Sequence, residues 1–248
     1  MTKAEIQLVR ALADKRARLE HGLFVAEGEK LIGEIRTSKL RVRKIYALEG
    51  IFEGAEVEVV SPKEMERVSL LKTPSKAVAL VEIPRHTLRA HELKNRLILA
   101  LDEVQNPGNL GTIIRLADWF GITDIVCSMD SADCFNPKVV QATMGAILRV
   151  KVHYTDLTRF LEEAARLEIP RYGTFLEGEN LYDTELTDGG IIVMGNEGRG
   201  ISRPIEALVS HKVLIPAYPA DRPTSESLNV AMATGIICAE FRRRTSSK

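Results

Sequence analysis

The run RLILALDEV (residues 96–104), followed by GNLGTIIRLADWFG (108–121), decides the fold class of this chain. The first part is an apolar run of the kind found in a central parallel strand, where both faces of the sheet are covered. The second part carries apolar residues at helical spacing and ends at Gly121, a residue suited to closing a helix. The same alternation continues outward. DIVCS (124–128) reads as a strand, NPKVVQATMGAIL (136–148) as a helix and KVHYT (151–155) as a strand. DLTRFLEEAARLE (156–168) reads as a helix with Asp156 as its candidate N-cap, and RYGTFL (171–176) and IIVMG (191–195) as strands. RPIEALVS (203–210) is a short helix, HKVLIPA (211–217) a strand, and Leu228 to Ala239 an almost wholly apolar terminal helix. Strands alternating with helices predict a parallel α/β sheet with helices on both faces.

The first third is a smaller α/β pattern. Ile6, Val9, Leu12 and Ala13 recur at helical spacing and predict one N-terminal helix. FVAEGEKLIGEIRTS (24–38) reads as a strand and a helix, and VRKIYAL (42–48) and AEVEVVS (55–61) as strands. SPKEMERVSL (61–70) has Ser61 as N-cap and Pro62 at the first helical position, and AVALVEI (77–83) closes the unit as a strand. PRHTLRAHELKNR (84–96) is polar and linker-like. The expected boundaries are an N-terminal domain over 1–88, a linker over 89–95 and a larger domain over 96–248.

Composition narrows the function class. The 248 residues are 45% hydrophobic and 27% charged, with 34 basic and 34 acidic side chains. Neutral net charge argues against a protein that simply coats a polyanion. Basic residues nevertheless cluster at Lys15, Arg16 and Arg18, at Lys39, Arg41, Arg43 and Lys44, and at Arg242, Arg243 and Arg244. Each cluster is either a local phosphate-binding face or a solvated surface. No stretch is apolar enough to span a bilayer, and the charged N-terminus lacks the core of a signal peptide, so a cytoplasmic protein is expected. Three cysteines without CxxC spacing and five scattered histidines suggest neither disulfides nor a metal site. His153 reads as a strand residue.

Ligands of parallel sheets bind beyond the carboxyl ends of the strands. Three strand ends here are unusual: Asp102–Gly111 leading into Thr112–Arg115, Gly195–Gly200, and Ile215–Ala217 running on to Ser225–Asn229. The glycines do not form G-x-G-x-x-G, and the Walker lysine is absent. Arg115 lies in an otherwise apolar helix stretch, so it should face a pocket, a partner or solvent. Asn109 either caps that helix or orients a neighbour, and Glu197 is a candidate partner for Arg115. Ser227 and Asn229 either cap the terminal helix or line a pocket at its mouth.

Taken together, NPGNLGTIIRLADWFG (106–121), MGNEGRGIS (194–202) and IPAYPADRPTSESLNVAMATG (215–235) resemble the three ordered motifs of the SpoU, or TrmH, family of RNA ribose methyltransferases in the SPOUT class. HGLFVAEGEKLIGEI (21–35) is similar to part of the RNA-binding domain that often precedes that catalytic domain. The resemblance implies a deep trefoil knot in the C-terminal sheet, which pattern reasoning alone would not choose because knots are nearly absent from proteins. It also implies methyl transfer from S-adenosylmethionine to a ribose 2′-hydroxyl of RNA, without a metal. Ribosomal RNA is expected ahead of transfer RNA, and a homodimer through the C-terminal domain.

Carried over residue by residue, the resemblance makes Arg115 the essential arginine, supported by Asn109, with Glu197 from motif two and Ser227 and Asn229 from motif three. Gly195, Ile215 and Leu228 fall at cofactor-binding positions, with Thr174 and Leu176 from the preceding strand end. Because arginine is not deprotonated in proteins, Arg115 is expected to bind phosphate and stabilise a developing alkoxide rather than act as a simple base. The segment Tyr218–Thr224 looks longer than in many relatives, which leaves Ser225 as an alternative alignment for Ser227. The competing expectation is a non-catalytic RNA-binding protein that keeps the fold, which predicts erosion of Asn109, Arg115, Glu197 or Asn229.

Overall fold

A computed structural model of the chain describes residues 1–219 and 227–245. It divides into two compact units: Met1–Arg85 with Asp133–Leu148, and His86–Ala132 with Arg149–Lys248.

In the first unit, α1 (Lys3–Ala11) starts at Thr2, whose side chain and that of Glu5 cap each other's backbone reciprocally. Where one N-terminal helix was expected there are two. Asp14 accepts a hydrogen bond from the Arg16 N–H at 2.8 Å and starts α2 (Lys15–His21), which Gly22 ends in left-handed backbone at φ +63°. Next come β1 (Leu23–Glu27), α3 (Glu29–Thr37), β2 (Val42–Ala47), β3 (Val57–Val59), α4 (Pro62–Val68) and β4 (Ala77–Glu82). Ser61 and Pro62 start α4 as the sequence predicts. The strand order is β1-β4-β2-β3, with β4 antiparallel to both β1 and β2, and β3 parallel to β2.

Successive residues of β1 supply two cores because side chains alternate across a strand. Leu23 and Val25 join Val9, Leu12, Tyr46 and Met65 on one face, while Phe24 and Ala26 join Ile32, Ile35 and Ile45 on the other. The second core also takes Val140, from the later helix Pro137–Ala142, α6 in chain order. The predicted helix 136–148 is therefore shorter, and its segment belongs to the first unit. Arg18 fixes that segment. Its guanidinium is buried and donates to the carbonyls of Leu12 and Ala13 at 2.7 and 2.8 Å and to Asp133 at 2.6 Å. Removing Asp133 would leave a buried unpaired charge, at a cost of about 3–5 kcal/mol.

The second unit holds β5 (Leu97–Leu101), α5 (Pro107–Trp119), β6 (Asp124–Ser128), β7 (Lys151–Thr155), α7 (Leu157–Arg166) and β8 (Arg171–Asn180). These are followed by β9 (Gly190–Met194), α8 (Arg203–Glu206), β10 (His211–Leu214) and α9 (Val230–Thr245). The six strands are all parallel, in the order β10-β8-β9-β5-β6-β7. β5 and β9 are buried along their whole length, which is why they read as unbroken apolar runs. α7 covers Ile98, Ala100, Val126, Ile191 and Val193 with Leu157, Phe160, Leu161 and Ala164. α5 lies along β6 and packs against α9.

Polar groups of this unit are largely spent on structure. His153 is a buried strand residue whose Nε2 lies 2.9 Å from Asp124 Oδ1. Arg242 donates to the Phe120 carbonyl at 2.7 Å, Arg244 to the carbonyls of Thr184 and Tyr182 at 2.5 and 2.6 Å, and both Arg243 and Arg244 to Glu240. The third basic cluster thus fastens the end of α9 to the unit. In the first unit, Lys44 pairs with Glu58 at 2.7 Å, which likewise thins the second cluster. All three cysteines are buried, and among the described residues none is joined in a disulfide. Among the described residues no helix is long and apolar enough to cross a membrane, and no cluster of candidate metal ligands occurs.

Candidate active site

The polar loops gather at the carboxyl end of the central strands. Past β5 the chain turns at Glu103, a non-glycine residue at φ +54°, and enters α5 through Asn106 and Pro107. Asn106 is the helix cap. Its Oδ1 accepts the N–H groups of Gly108 and Asn109 at 2.8 and 3.1 Å, with proline at the first helical position. This settles the choice left open for Asn109, whose side chain is free to orient a neighbour. Asn109 Nδ2 donates to Glu197 Oε1 at 3.0 Å, and Asn109 Oδ1 accepts from Asn229 Nδ2 at 3.0 Å. Asn229 also caps α9, its Oδ1 accepting from the N–H groups of Ala231 and Met232 at 2.9 and 3.3 Å.

Glu197 is the hub of this relay. Its carboxylate takes the backbone N–H groups of Asn106 and Gln105 at 3.0 and 3.3 Å as well as the Asn109 amide. Burial opposes the charge on Glu197, but the hydrogen bonds from Asn109, Asn106 and Gln105 outweigh it and hold the carboxyl below the usual range. Glu197 is therefore an ionised acceptor at neutral pH. The expected pairing of Glu197 with Arg115 does not occur, because the three amides occupy the carboxylate. Arg115 instead stands exposed on α5, making no hydrogen bond or ion pair among the described residues. Trp119, one turn further along that face, is 84% exposed.

A cleft of about 580 Å³ opens beside the relay, lined by Gln105, Asn106, Pro107, Asn109, Glu197, Ser227, Leu228, Asn229 and Val230. The structure thus brings Asn109, Glu197, Ser227 and Asn229 together. Ser225, the alternative to Ser227, and residues 220–224 of the long loop lie outside the described residues.

Of the five positions expected to hold a cofactor, only Leu228 lines this cleft, while Thr174 and Leu176 lie within β8. Gly195 follows β9 and has no room for a side chain, since a Cβ there would sit 2.2 Å from the carbonyl carbon of Gly200. Ile215 follows β10 and is half-buried, and Leu228 is 49% exposed in the cleft. Thr174 and Leu176 fall in a break of the β8–β10 register, between Gly173, paired with Lys212, and Glu179, paired with Val213. Thr174 Oγ1 reaches the Val193 carbonyl at 3.4 Å, and Leu176 is exposed.

Sequence reasoning missed Asn106, Asn196 and Glu103. The Asn106-Pro107 pair was a readable cap signature. Glu103 had no sequence signal, since nothing marks a glutamate for positive φ.

Fold and site together define an α/β enzyme domain that binds its ligand beyond the carboxyl ends of a parallel sheet, around one carboxylate held by amides. Residues 96–239 match the family model described as the SpoU rRNA Methylase family, and residues 3–79 match an MRM3-like substrate binding domain. The chain belongs to the SpoU rRNA methylase family, whose members are S-adenosylmethionine-dependent methyltransferases. It is 28% identical over 238 residues to 23S rRNA (guanosine(2553)-2′-O)-methyltransferase RlmP of Bacillus subtilis, covering 93% of each chain. Among solved structures it is similar to a protein of Porphyromonas gingivalis assigned to the TrmH family of RNA methyltransferases, with a TM-score of 0.89 and 38% identity over 98% of this chain and 99% of that one. An AdoMet-bound rRNA methyltransferase from Sinorhizobium meliloti superposes with a TM-score of 0.84 at 26% identity, covering 98% of this chain and 96% of that one.

Proposed function

We propose that this enzyme methylates a ribose 2′-hydroxyl of ribosomal RNA in the cytoplasm, using S-adenosylmethionine. The observation that carries this reading is the relay Asn229–Asn109–Glu197, which draws one residue from each of the three motifs and lines a single cleft. A non-catalytic relative would have been free to lose it. Ribosomal RNA is favoured by the MRM3-like match over residues 3–79 and by the named substrate of the Bacillus relative.

Gly195, Ile215 and Leu228 would hold the cofactor through backbone groups and apolar contact, with Thr174 and Leu176 beside them. The bound cofactor supplies a methyl group on a sulfonium, already a strong electrophile. What this chain must add is alignment of the hydroxyl with that methyl, an effect worth several orders of magnitude in rate. Arg115 binds the phosphate next to the target ribose and stabilises the alkoxide that develops as the hydroxyl proton leaves. Asn109 and Asn229 orient the ribose edge, with Glu197 fixing Asn109, and Ser227 offers a hydroxyl at the cleft mouth. The ribose oxygen would take the methyl, the cofactor leaving as a neutral thioether, and the hydroxyl proton would pass to solvent, since Arg115 is already protonated and has no place for it.

The exposed residues Trp119 on α5, Met232 on α9 and Leu228 leading into it support a homodimer through this unit. The deep knot belongs to the same proposal.

The test is methyl transfer from labelled S-adenosylmethionine to 23S rRNA and to bulk tRNA from cells lacking this gene. Label in one ribosomal nucleotide is expected. Absence of transfer to any RNA, with no cofactor binding, would overturn the reading.

A further inference from the structure

We propose that Asn196 is a positioning residue that sets the Glu197 carboxylate, an inference that rests on the methyltransferase reading for its kinetic arm. Asn196 is half-buried and uses every part of itself. Its backbone N–H and carbonyl pair with the carbonyl and N–H of Gly200, both at 2.9 Å, closing the loop Gly195–Gly200. Its Oδ1 accepts the N–H groups of Gly198 and Arg199 at 2.9 and 3.1 Å, filling the inside of that loop. Its Nδ2 crosses to the other motif and donates to the Glu103 carbonyl at 2.8 Å.

Glu103 is where this contact matters. An L-residue at φ +54° costs about 1 kcal/mol or more and persists only when its surroundings over-determine it. The Glu103 N–H is held by Ser128 Oγ at 2.9 Å, its carbonyl by Asn196, and its carboxylate by Arg199. The turn that Glu103 makes aims the next N–H groups, those of Gln105 and Asn106, at Glu197. Glu197 is the neighbour of Asn196 in the chain. The result is a closed ring: Asn196 side chain, Glu103, the turn to Asn106, the Glu197 carboxylate, and back through the backbone to Asn196. Glu197 is thus gripped by amides whose direction Asn196 sets, and Glu197 in turn orients Asn109 and Asn229.

Asn196→Ser tests this. Serine can still accept a hydrogen bond from Gly198 but is too short to reach Glu103. In the full-length enzyme the variant should lose about 10–100-fold in kcat, the scale for small misplacement of reacting groups, with its S-adenosylmethionine affinity within about twofold of wild type. In a Glu197→Gln background the same change should cost less than about threefold, because the two act through one ring. The second arm needs no RNA. Amide hydrogen exchange at Gln105 and Asn106 should speed up about tenfold in Asn196→Ser while β5 and β9 amides stay protected. Additive kinetic losses, or unchanged exchange at Gln105 and Asn106, would overturn the proposal. A wild-type enzyme that methylates no RNA would instead count against the functional reading, and the exchange measurement would then decide the role of Asn196 by itself.

Discussion

Asn229 donates its side-chain amide to Oδ1 of Asn109 at 3.0 Å, across 120 residues of sequence, while its own Oδ1 caps α9. One side chain thereby starts the terminal helix and orients the relay. The two roles separate by mutation. Asn229→Ser keeps a competent cap but loses Asn109, so its melting temperature should stay close to wild type while kcat falls about tenfold. Asn229→Ala loses both, and the missing cap costs about 1 kcal/mol, a drop of about 2–4 °C in a unit of this size. Thermal melts beside initial rates decide it; a Ser variant at full rate removes Asn229 from the relay's function.

Arg115 is exposed and makes no hydrogen bond or ion pair among the described residues, so its removal should leave the fold alone. Arg115→Ala is expected to lower kcat by about 10²–10³, the range found when one donor to a developing oxyanion is removed. Its affinity for S-adenosylmethionine should change less than about twofold. Arg115→Lys should recover only part of the loss, since a point charge lacks the planar fork that grips two phosphate oxygens. Single-turnover rates with calorimetric cofactor titration separate these outcomes, and an active Arg115→Ala variant excludes the assigned role.

The sequence carried much of this fold because its signals were local. Buried runs such as Leu97–Leu101 and Gly190–Met194 announce parallel strands, and Ser61-Pro62 and Asp156 announce helix starts whose caps are observed. Asn109, Glu197 and Asn229 stood out singly at strand ends and helix mouths, but that they share one site was legible only through the joint resemblance of three motifs. No periodicity brings residues 109, 197 and 229 together. What stayed hidden depends on long-range geometry. The Arg115–Glu197 pairing was reasonable by charge, yet backbone N–H groups of Gln105 and Asn106 reach the carboxylate instead. The second N-terminal helix was missed because Asp14 interrupts a run that otherwise keeps helical character. The docking of Val140 into the first unit has no sequence signature, since an apolar helix face does not say which core it completes.

Gly195 is a position where space, not φ, demands glycine. A methyl group there would lie 2.2 and 2.3 Å from backbone atoms of Gly200 and Ile201, which cannot move without opening the loop that presents Glu197. Gly195→Ala should therefore cost both cofactor affinity, by tenfold or more, and turnover, while far-UV circular dichroism stays native. Gly198→Ala is the control, because a Cβ there meets only Asn196 Oδ1 at an ordinary 3.7 Å. Equal cofactor affinity in the two variants would show that the loop closure at Gly195 is dispensable.

At the opposite ends of the strands, Asp124 should govern part of the acid stability. Burial disfavours its charge, but hydrogen bonds from His153 and Thr123 and the nearby Arg96 prevail and bring the carboxyl from 3.8 to about 2. A folded-state value below the unfolded one means the unfolded chain binds the proton first as pH falls. The contribution, about 2 kcal/mol, is complete above about pH 5 and disappears as pH drops through 4 towards 2. Asp124→Asn removes the titration while keeping the shape. It should lower the urea midpoint at pH 7, and the gap from wild type should narrow progressively between pH 5 and pH 3. A gap that stays constant over that range would mean that the destabilisation comes from lost packing or hydrogen bonding and not from the charge on Asp124.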